Sequence, residues 1–226
     1  MVDQEVADEN ALPVDKTEVL ALFPTFVWRI ELKPEDSEVI NQKIKQKLDE
    51  LTAGKLNLEP GEKWQTEQNL HKLDEFQKLN SFVYTAARSI FDFMKIDYDD
   101  VLITGCWANI SAIRTRHQAH THPNNFLSGV YYVQAEKGAD SITVDDPRPQ
   151  VATIAPPTRM NTPENARKMH LSVKAGTLLM FPSWLPHSVQ ANMSGQQRIS
   201  VAYNLMFTSF GEKMATPQWE GNVEVT

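Results

Sequence analysis

The sequence predicts a mainly β chain with flanking helices: a sandwich or barrel of short strands, preceded by two supporting helices. Three observations lead there. From residue 101 onward, short runs rich in β-branched and aromatic residues follow one another closely, separated by turn residues. Two stretches with helical apolar spacing come before them. Apolar residues make up 41% of the 226 positions, enough to bury the core of one moderate-sized domain.

In chain order, residues 1–20 are acidic and polar and read as a solvated arm, not a signal peptide. Residues 23–30 have the density of bulky residues expected of a strand. Pro34-Glu-Asp36 marks a helix start. Ile40, Ile44, Leu48 and Leu51 then recur on one face, and Gly54 ends the run. Residues 54–70 carry Gly, Pro and Asn and read as a loop. A second helix is expected from Asp74 to Met94, with Phe76, Leu79, Val83, Ala87, Ile90 and Met94 as its apolar stripe. The strand runs are 101–113, 126–135, 140–145, 169–174, 176–181, 187–191 and 198–208. The 146–166 stretch, rich in Pro, Thr and Asn, is too long for a hairpin turn and reads as a candidate lid. The organisation is thus an arm (1–20), a first strand with supporting helices (21–100), a β core (101–210) and a polar tail (211–226).

Composition excludes several function classes. With 29 acidic against 22 basic residues the net charge is −7, which argues against a nucleic-acid coating role. The single cysteine, Cys106, permits no internal disulfide and no cysteine-rich zinc site, and suits a reducing cytoplasm. No apolar run approaches the roughly 20 residues needed to span a bilayer.

Three of the six histidines lie in His117-Gln-Ala-His120-Thr-His122. Alternate strand residues face one way, so His120 and His122 are expected to point together into a cavity. Neutral imidazole is a common ligand for zinc, copper and iron. His187, after a strong strand and a Pro-bounded turn, is the candidate third ligand. His117, three positions from His120, is expected to face the other way. The pair Asp145 and Asp146 reads as a strand-end turn; these and His117 are the alternative donors. Arg198-Ile-Ser200 again alternates, placing a guanidinium and a hydroxyl on one face, a combination suited to a carboxylate. Arg198 follows His187 by eleven residues, enough for a hairpin that brings both into one barrel. Metal and arginine together would hold an oxo-acid, chelated at one end and salt-bridged at the other. Cys106 beside Trp107 reads as core; His71 and His170 read as ordinary surface or loop residues.

These motifs resemble those of the 2-oxoglutarate- and Fe(II)-dependent oxygenase superfamily, in particular its small prolyl-hydroxylase-like members from bacteria and phages. The matching stretches include Trp107-Ala-Asn-Ile110, His120-Thr-His-Pro123, Leu127-Ser-Gly-Val-Tyr-Tyr-Val133, Leu179 through His187, and Arg198-Ile-Ser-Val-Ala-Tyr-Asn204. The resemblance runs from about residue 22 to 208. It implies a double-stranded β-helix, the jelly-roll or cupin-like barrel, with iron at His120 and His187; His122, two residues after the first, is read as the third ligand or as a neighbour of a water in that position. It implies Arg198 on the far carboxylate of 2-oxoglutarate, Ser200 as accessory hydroxyl, Tyr132 on the same carboxylate, and Asn109 and Trp107 lining the pocket. The implied cofactors are Fe(II), 2-oxoglutarate as cosubstrate, and O2. The implied reaction is hydroxylation of an amino-acid or peptidyl C–H with release of succinate and CO2. A small-molecule or peptidyl substrate, no membrane partner and a cytoplasmic location fit this reading, and a homodimer is compatible with it. One departure stands out: the superfamily usually carries Asp or Glu where this chain has His122. Two other readings remain open, a three-histidine iron dioxygenase that does not use 2-oxoglutarate, and a non-catalytic barrel that binds a metal or anion. Trp184, Trp107 and the 146–166 loop are candidates for excluding water, and Asp146 with Arg148 for either substrate contact or a structural ion pair.

Overall fold

The computed structural model describes residues 16–209. Most of the expected N-terminal arm and all of the expected 211–226 tail lie outside the described residues. Among the described residues, ten strands form two antiparallel sheets facing each other as a double-stranded β-helix. The larger sheet has the order β1-β8-β5-β10-β3-β2 and the smaller β4-β9-β6-β7. In chain order the elements are β1 (Trp28–Glu31), α1 (Pro34–Leu51), β2 (Lys63–Gln65), α2 (Gln77–Phe93), β3 (Val101–Ser111), β4 (His117–His120), β5 (Leu127–Gln134), β6 (Ser141–Asp145), β7 (Lys168–Ser172), β8 (Thr177–Pro182), β9 (His187–Val189) and β10 (Arg198–Phe207).

Both helices form where their stripes predict them. Pro34 opens α1 with Glu35 and Asp36 in its first turn, where the fixed φ and the helix dipole favour them. Ile40, Ile44 and Leu48 are buried, but Leu51, expected in the same stripe, is exposed because the helix ends there. A single 3₁₀ turn at Asp74–Phe76 leads into α2, whose Phe76, Leu79, Val83, Ala87 and Ile90 are buried, while Met94 lies beyond the helix and is exposed. Each buried Leu or Val of this stripe is worth about 1.5–3 kcal/mol.

The two helices share a core with the outer face of the larger sheet, including Tyr131 and Val133 of β5 and Val201, Tyr203 and Leu205 of β10. Two tyrosines pin them there: Tyr131 donates its hydroxyl hydrogen to Asn41 Oδ1 of α1 at 2.9 Å, and Tyr203 to Asn80 Oδ1 of α2 at 3.1 Å. The alternate residues of the same strands face the smaller sheet, where Tyr132, Leu179 and Phe181 pack with Ile142, Val173 and Leu185. A register shift where β10 passes Asn204/Leu205 opposite Gly105 and Ile103 inserts one residue into β3, which lets Ile103 and Cys106 share the helix-covered face.

Two sequence expectations need correction. The 54–70 segment is not all loop: Lys63–Gln65 pairs with β3 as the sheet's edge strand. Only Trp64 of that strand meets the helix-side core, so no apolar alternation betrays it. The first strand begins at Trp28 rather than Phe23, because Pro24 lacks an amide hydrogen and Phe23 adopts φ 56°. The 146–166 stretch contains one 3₁₀ turn, Pro149–Ala152, and the cavity lining includes none of it among the described side chains.

Gly176 closes the turn before β8, at φ 85°. Its amide donates to the Tyr132 carbonyl at 2.9 Å and its carbonyl accepts from Leu32 N at 3.0 Å. A Cβ there would lie 2.8 Å from Ser37 Cβ in α1. Gly176→Ala is therefore expected to destabilise the fold by about 1–3 kcal/mol, read as a lower midpoint in urea unfolding with an unchanged slope.

Candidate active site

Antiparallel register sets the inner wall of the larger sheet row by row. Lys63, Ser111 and Arg198 lie opposite one another across β2, β3 and β10. Gln65, Asn109, Ser200 and Tyr132 form the next row, and Trp107, Ala202 and Val130 the one after. Partners in register face the same side, so one face of four strands presents these groups to a single cavity, which all but Ser111 line. That cavity has a volume of about 620 Å³, within the usual range for small-molecule sites.

The opposite wall carries the histidines. His120 of β4 and His187 of β9 are register partners. His122 lies two residues beyond the end of β4, its amide donating to the Ser183 carbonyl at 2.9 Å. The Ser183 hydroxyl is in turn tied to Ser128 Oγ at 2.8 Å, and Ser128 donates to Asn204 Oδ1 at 2.9 Å. A buried polar chain from β10 thus fixes the turn that holds His122. The Trp107 ring packs against His122 at a centroid distance of 5.8 Å.

One ring nitrogen from each of His120, His122 and His187 lies within 4.8 Å of the other two. His120 Nδ1 is 2.8 Å from the Gln118 carbonyl oxygen and His187 Nδ1 is 2.9 Å from the Leu185 carbonyl oxygen. A carbonyl only accepts, so both Nδ1 atoms carry hydrogen and both Nε2 atoms are left with lone pairs. His122 Nε2 and His187 Nε2 are 3.3 Å apart. Two nitrogens each about 2.1 Å from one ion, about 90–109° apart, are separated by about 3.0–3.4 Å. The donor set therefore fits a single transition metal. Three imidazoles depart from the usual two-histidine, one-carboxylate triad of non-haem iron oxygenases. Neither Asp145 nor Asp146 joins the cluster: Asp145 pairs with Lys168 at 3.0 Å, and Arg148 grips Asp146 with two contacts of 3.0 and 2.7 Å.

Arg198 is the most unusual charge in the molecule. It is 3% exposed, its Nη1 is buried without a hydrogen-bond partner, and its Nη2 reaches only Ser111 Oγ at 3.4 Å. Burial pulls its pKa down, with Tyr132 opposing. Leaving a guanidinium hydrogen unmet in a protein interior is costly, and an anion in the cavity would offset that cost. Asn109 Oδ1, one row along, is likewise buried and unmet. Ser200 and Tyr132 are buried beside it, and burial pushes the Tyr132 hydroxyl well above its ordinary range, so it acts as a neutral donor.

His117 overturns its sequence reading. Three residues of β4 span two of β9 between the His120–His187 and His117–Val189 pairs, so an irregularity turns His117 toward the cavity. Its Nε2 lies 3.4 Å from Ser111 Oγ, the hydroxyl that Arg198 also reaches. Lys63, Gln65, Arg116 and Gln118 line the cavity as well, and sequence reasoning missed all four. Trp184, in contrast, is 55% exposed and does not line the cavity, so neither barrel packing nor a direct pocket role describes it. Cys106 is core as expected, and burial lifts its thiol to about 12.

Comparison with known proteins agrees with this architecture. A family model described as "Putative 2OG-Fe(II) oxygenase" matches residues 105–204, the stretch that carries the histidines and Arg198. The matched stretch is similar to that family over 100 of the 226 residues. Structural neighbours share the oxygenase fold at low sequence identity. AviO1 from Streptomyces viridochromogenes Tue57 aligns at TM-score 0.58 and 11% identity, covering 82% of this chain and 91% of AviO1. A Pseudomonas putida prolyl-4-hydroxylase aligns at 0.54 and 12%, covering 80% of this chain and 92% of the hydroxylase. HygX from Streptomyces hygroscopicus, with nickel and 2-oxoglutarate bound, aligns at 0.56 and 9%, covering 82% of this chain and 84% of HygX. No curated protein matches in sequence. No helix among the described residues is long and apolar enough to cross a membrane.

Desolvation holds His117, His122 and His187 at about 4, against about 6.5 for a free imidazole. The folded state thus binds fewer protons than the unfolded chain between those values, and acid must favour unfolding. With metal stripped by a chelator, the urea midpoint is expected to fall steadily from pH 7 to pH 4.5, and His117→Gln to make that decline shallower.

Proposed function

We propose that this oxygenase uses Fe(II), 2-oxoglutarate and O2 to hydroxylate an unactivated C–H of an amino-acid or peptidyl substrate, releasing succinate and CO2. The observation that carries the reading is the buried, unmet Nη1 of Arg198 in the same cavity as a three-nitrogen cluster. A guanidinium and a metal facing one space suit a dicarboxylic keto acid, held at both ends. HygX, structurally similar, has 2-oxoglutarate and nickel bound, and a similar fold serves a prolyl-4-hydroxylase.

His120, His122 and His187 would hold the iron. When bound, iron and 2-oxoglutarate supply the oxidising power that inserts one oxygen atom of O2 into a C–H bond. The chain's own residues bind and orient. Arg198 pairs with the far carboxylate through its planar fork. Ser200 and the neutral Tyr132 hydroxyl add donors beside it. Asn109 offers either end of its amide to the bound ligand, since its two ends are interchangeable by a flip. Trp107, Val130 and Ile142 give the cavity an apolar wall that limits water around the reacting centre. The outer backbone hydrogen bonds of His120 and His187 keep Nε2 available throughout.

A second reading, a three-histidine dioxygenase independent of 2-oxoglutarate, draws on the all-imidazole donor set. One titration separates the two. Adding 2-oxoglutarate to the Fe(II)-loaded protein without oxygen is expected to produce a visible metal-to-ligand charge-transfer band. Iron binding with no band removes the cosubstrate from the reading. Arg198→Ala is expected to weaken 2-oxoglutarate binding at least tenfold and Fe(II) binding less than threefold, whereas equal loss of both points to misfolding.

The role of His122 is tested by its own replacement. His122→Ala is expected to weaken Fe(II) binding about as much as His187→Ala, measured by competition with a chromophoric chelator. His122→Asp should retain iron, since a carboxylate also serves at this position of a facial triad. Wild-type affinity in His122→Ala would place His122 outside the ligand set.

A further inference from the structure

The proposed cosubstrate accounts for Arg198 but leaves other cations of the cavity without a role. The chain is acidic overall, yet no Asp or Glu lines the cavity among the described residues. Its charged lining consists of Arg198, Lys63 and Arg116. The last two are exposed at the opening, and neither forms an ion pair among the described residues.

Their placement follows from topology. β2 ends the larger sheet and β4 ends the smaller. Backbone bonds between Gly61 and Ile113 (2.7 Å) and between Glu62 and Ala112 (3.1 Å) hold the start of β2 against the connection that leads into β4. The His117–Ser111 contact closes the same side from within. The two edge strands therefore flank one seam of the sandwich. Lys63 faces inward because it is the register partner of inward-facing Ser111, and Arg116 immediately precedes β4 on the other side. Gln65 and Gln118 stand next to them, one on each edge, as neutral hydrogen-bonding groups. Edge strands commonly carry charge, some of it pointing inward, to prevent pairing with other chains; here two cations from the two facing edges meet one cavity. Lys63 and Arg116 line the cavity.

We infer that the seam between β2 and β4 is an anion-binding entrance at which Lys63 and Arg116 receive a carboxylate or phosphate group of the primary substrate, orienting it toward the His120, His122 and His187 cluster. The inference rests on the oxygenase reading for the word substrate, and on the cavity's charge for the anion. A single-sign cleft raises the local concentration of an oppositely charged ligand. Lys63 supplies a mobile point charge and Arg116 a planar fork, so carboxylate and phosphate are both accommodated. A free carboxyl or a phosphorylated side chain carries such a group; an internal, uncharged peptide segment does not.

The test uses the full chain loaded with Zn(II) and 2-oxoglutarate, followed by NMR of backbone and side-chain amides. Three probes are titrated separately: inorganic phosphate, N-acetylglycinate and its neutral analogue N-acetylglycinamide. A saturable shift of the Gln65 and Gln118 side-chain amides with phosphate, N-acetylglycinate or both is expected, but none with the amide. Response to one anion alone assigns the entrance to that chemistry. The Lys63→Gln/Arg116→Gln double variant should weaken the anion response at least tenfold and change 2-oxoglutarate affinity less than threefold. An equal response to N-acetylglycinamide, no saturable response to either anion, or an anion response that survives in the double variant overturns the inference. The same titrations without 2-oxoglutarate keep the two readings apart. Failure of 2-oxoglutarate to bind the metal-loaded protein removes the oxygenase cosubstrate while leaving the anion result readable.

Discussion

The two-residue alternation of β10 governs both faces of this molecule. Ile199, Val201, Tyr203 and Leu205 point outward into the core shared with the helices. Arg198, Ser200, Ala202 and Asn204 point inward, where the first three line the cavity and Asn204 anchors the chain of hydroxyls under His122. A slip of one residue would expose the apolar set to the cavity and bury the guanidinium against the helices. Such a slip costs several buried side chains at about 1.5–3 kcal/mol each. The apolar contacts with α1 and α2 therefore fix where the charge of Arg198 stands, although neither helix lines the cavity.

How much of this can be read from the sequence depends on the type of signal. The helices were legible because Ile40, Ile44 and Leu48, or Leu79, Val83 and Ile90, repeat at helical spacing in uninterrupted runs. The long strands were legible because they are dense in β-branched and aromatic residues and bounded by turns. Arg198 and Ser200 followed from the same alternation, and His187 from the strand and turn before it. Features that break the period were hidden. The irregularity in β4 reverses His117, since one extra residue inverts the side every later position faces. β2 is three residues long and polar on two of them, so its only sequence mark is Trp64. His122 joins His120 by a different route from the one expected: the strand stops at His120, and a backbone bond to Ser183 supplies the direction.

The histidine cluster changes the electrostatics of the site relative to a carboxylate-bearing triad. Three neutral donors leave the charge of a bound dication uncompensated by the protein, and Arg198 adds another positive charge in the same cavity. Only the ligands that enter can balance these charges. In the reading proposed above, the dianionic cosubstrate does so, and the selectivity of the site for anions is a property of its whole lining. Desolvation supports the arrangement by keeping His122 and His187 unprotonated at neutral pH.

Strand order also bears on how the protein is made. β10 lies between β3 and β5 in the larger sheet, yet it follows both in the chain. On the ribosome, β3 and β5 emerge with no strand to join them, each offering an unpaired edge. The helices are complete by then but have only part of the sheet to cover. The cavity's inner wall lacks its central strand until residues 198–207 have left the exit tunnel, so a chain stalled shortly before that point presents open edges and uncovered apolar surface, the features that recruit chaperones and nucleate aggregates.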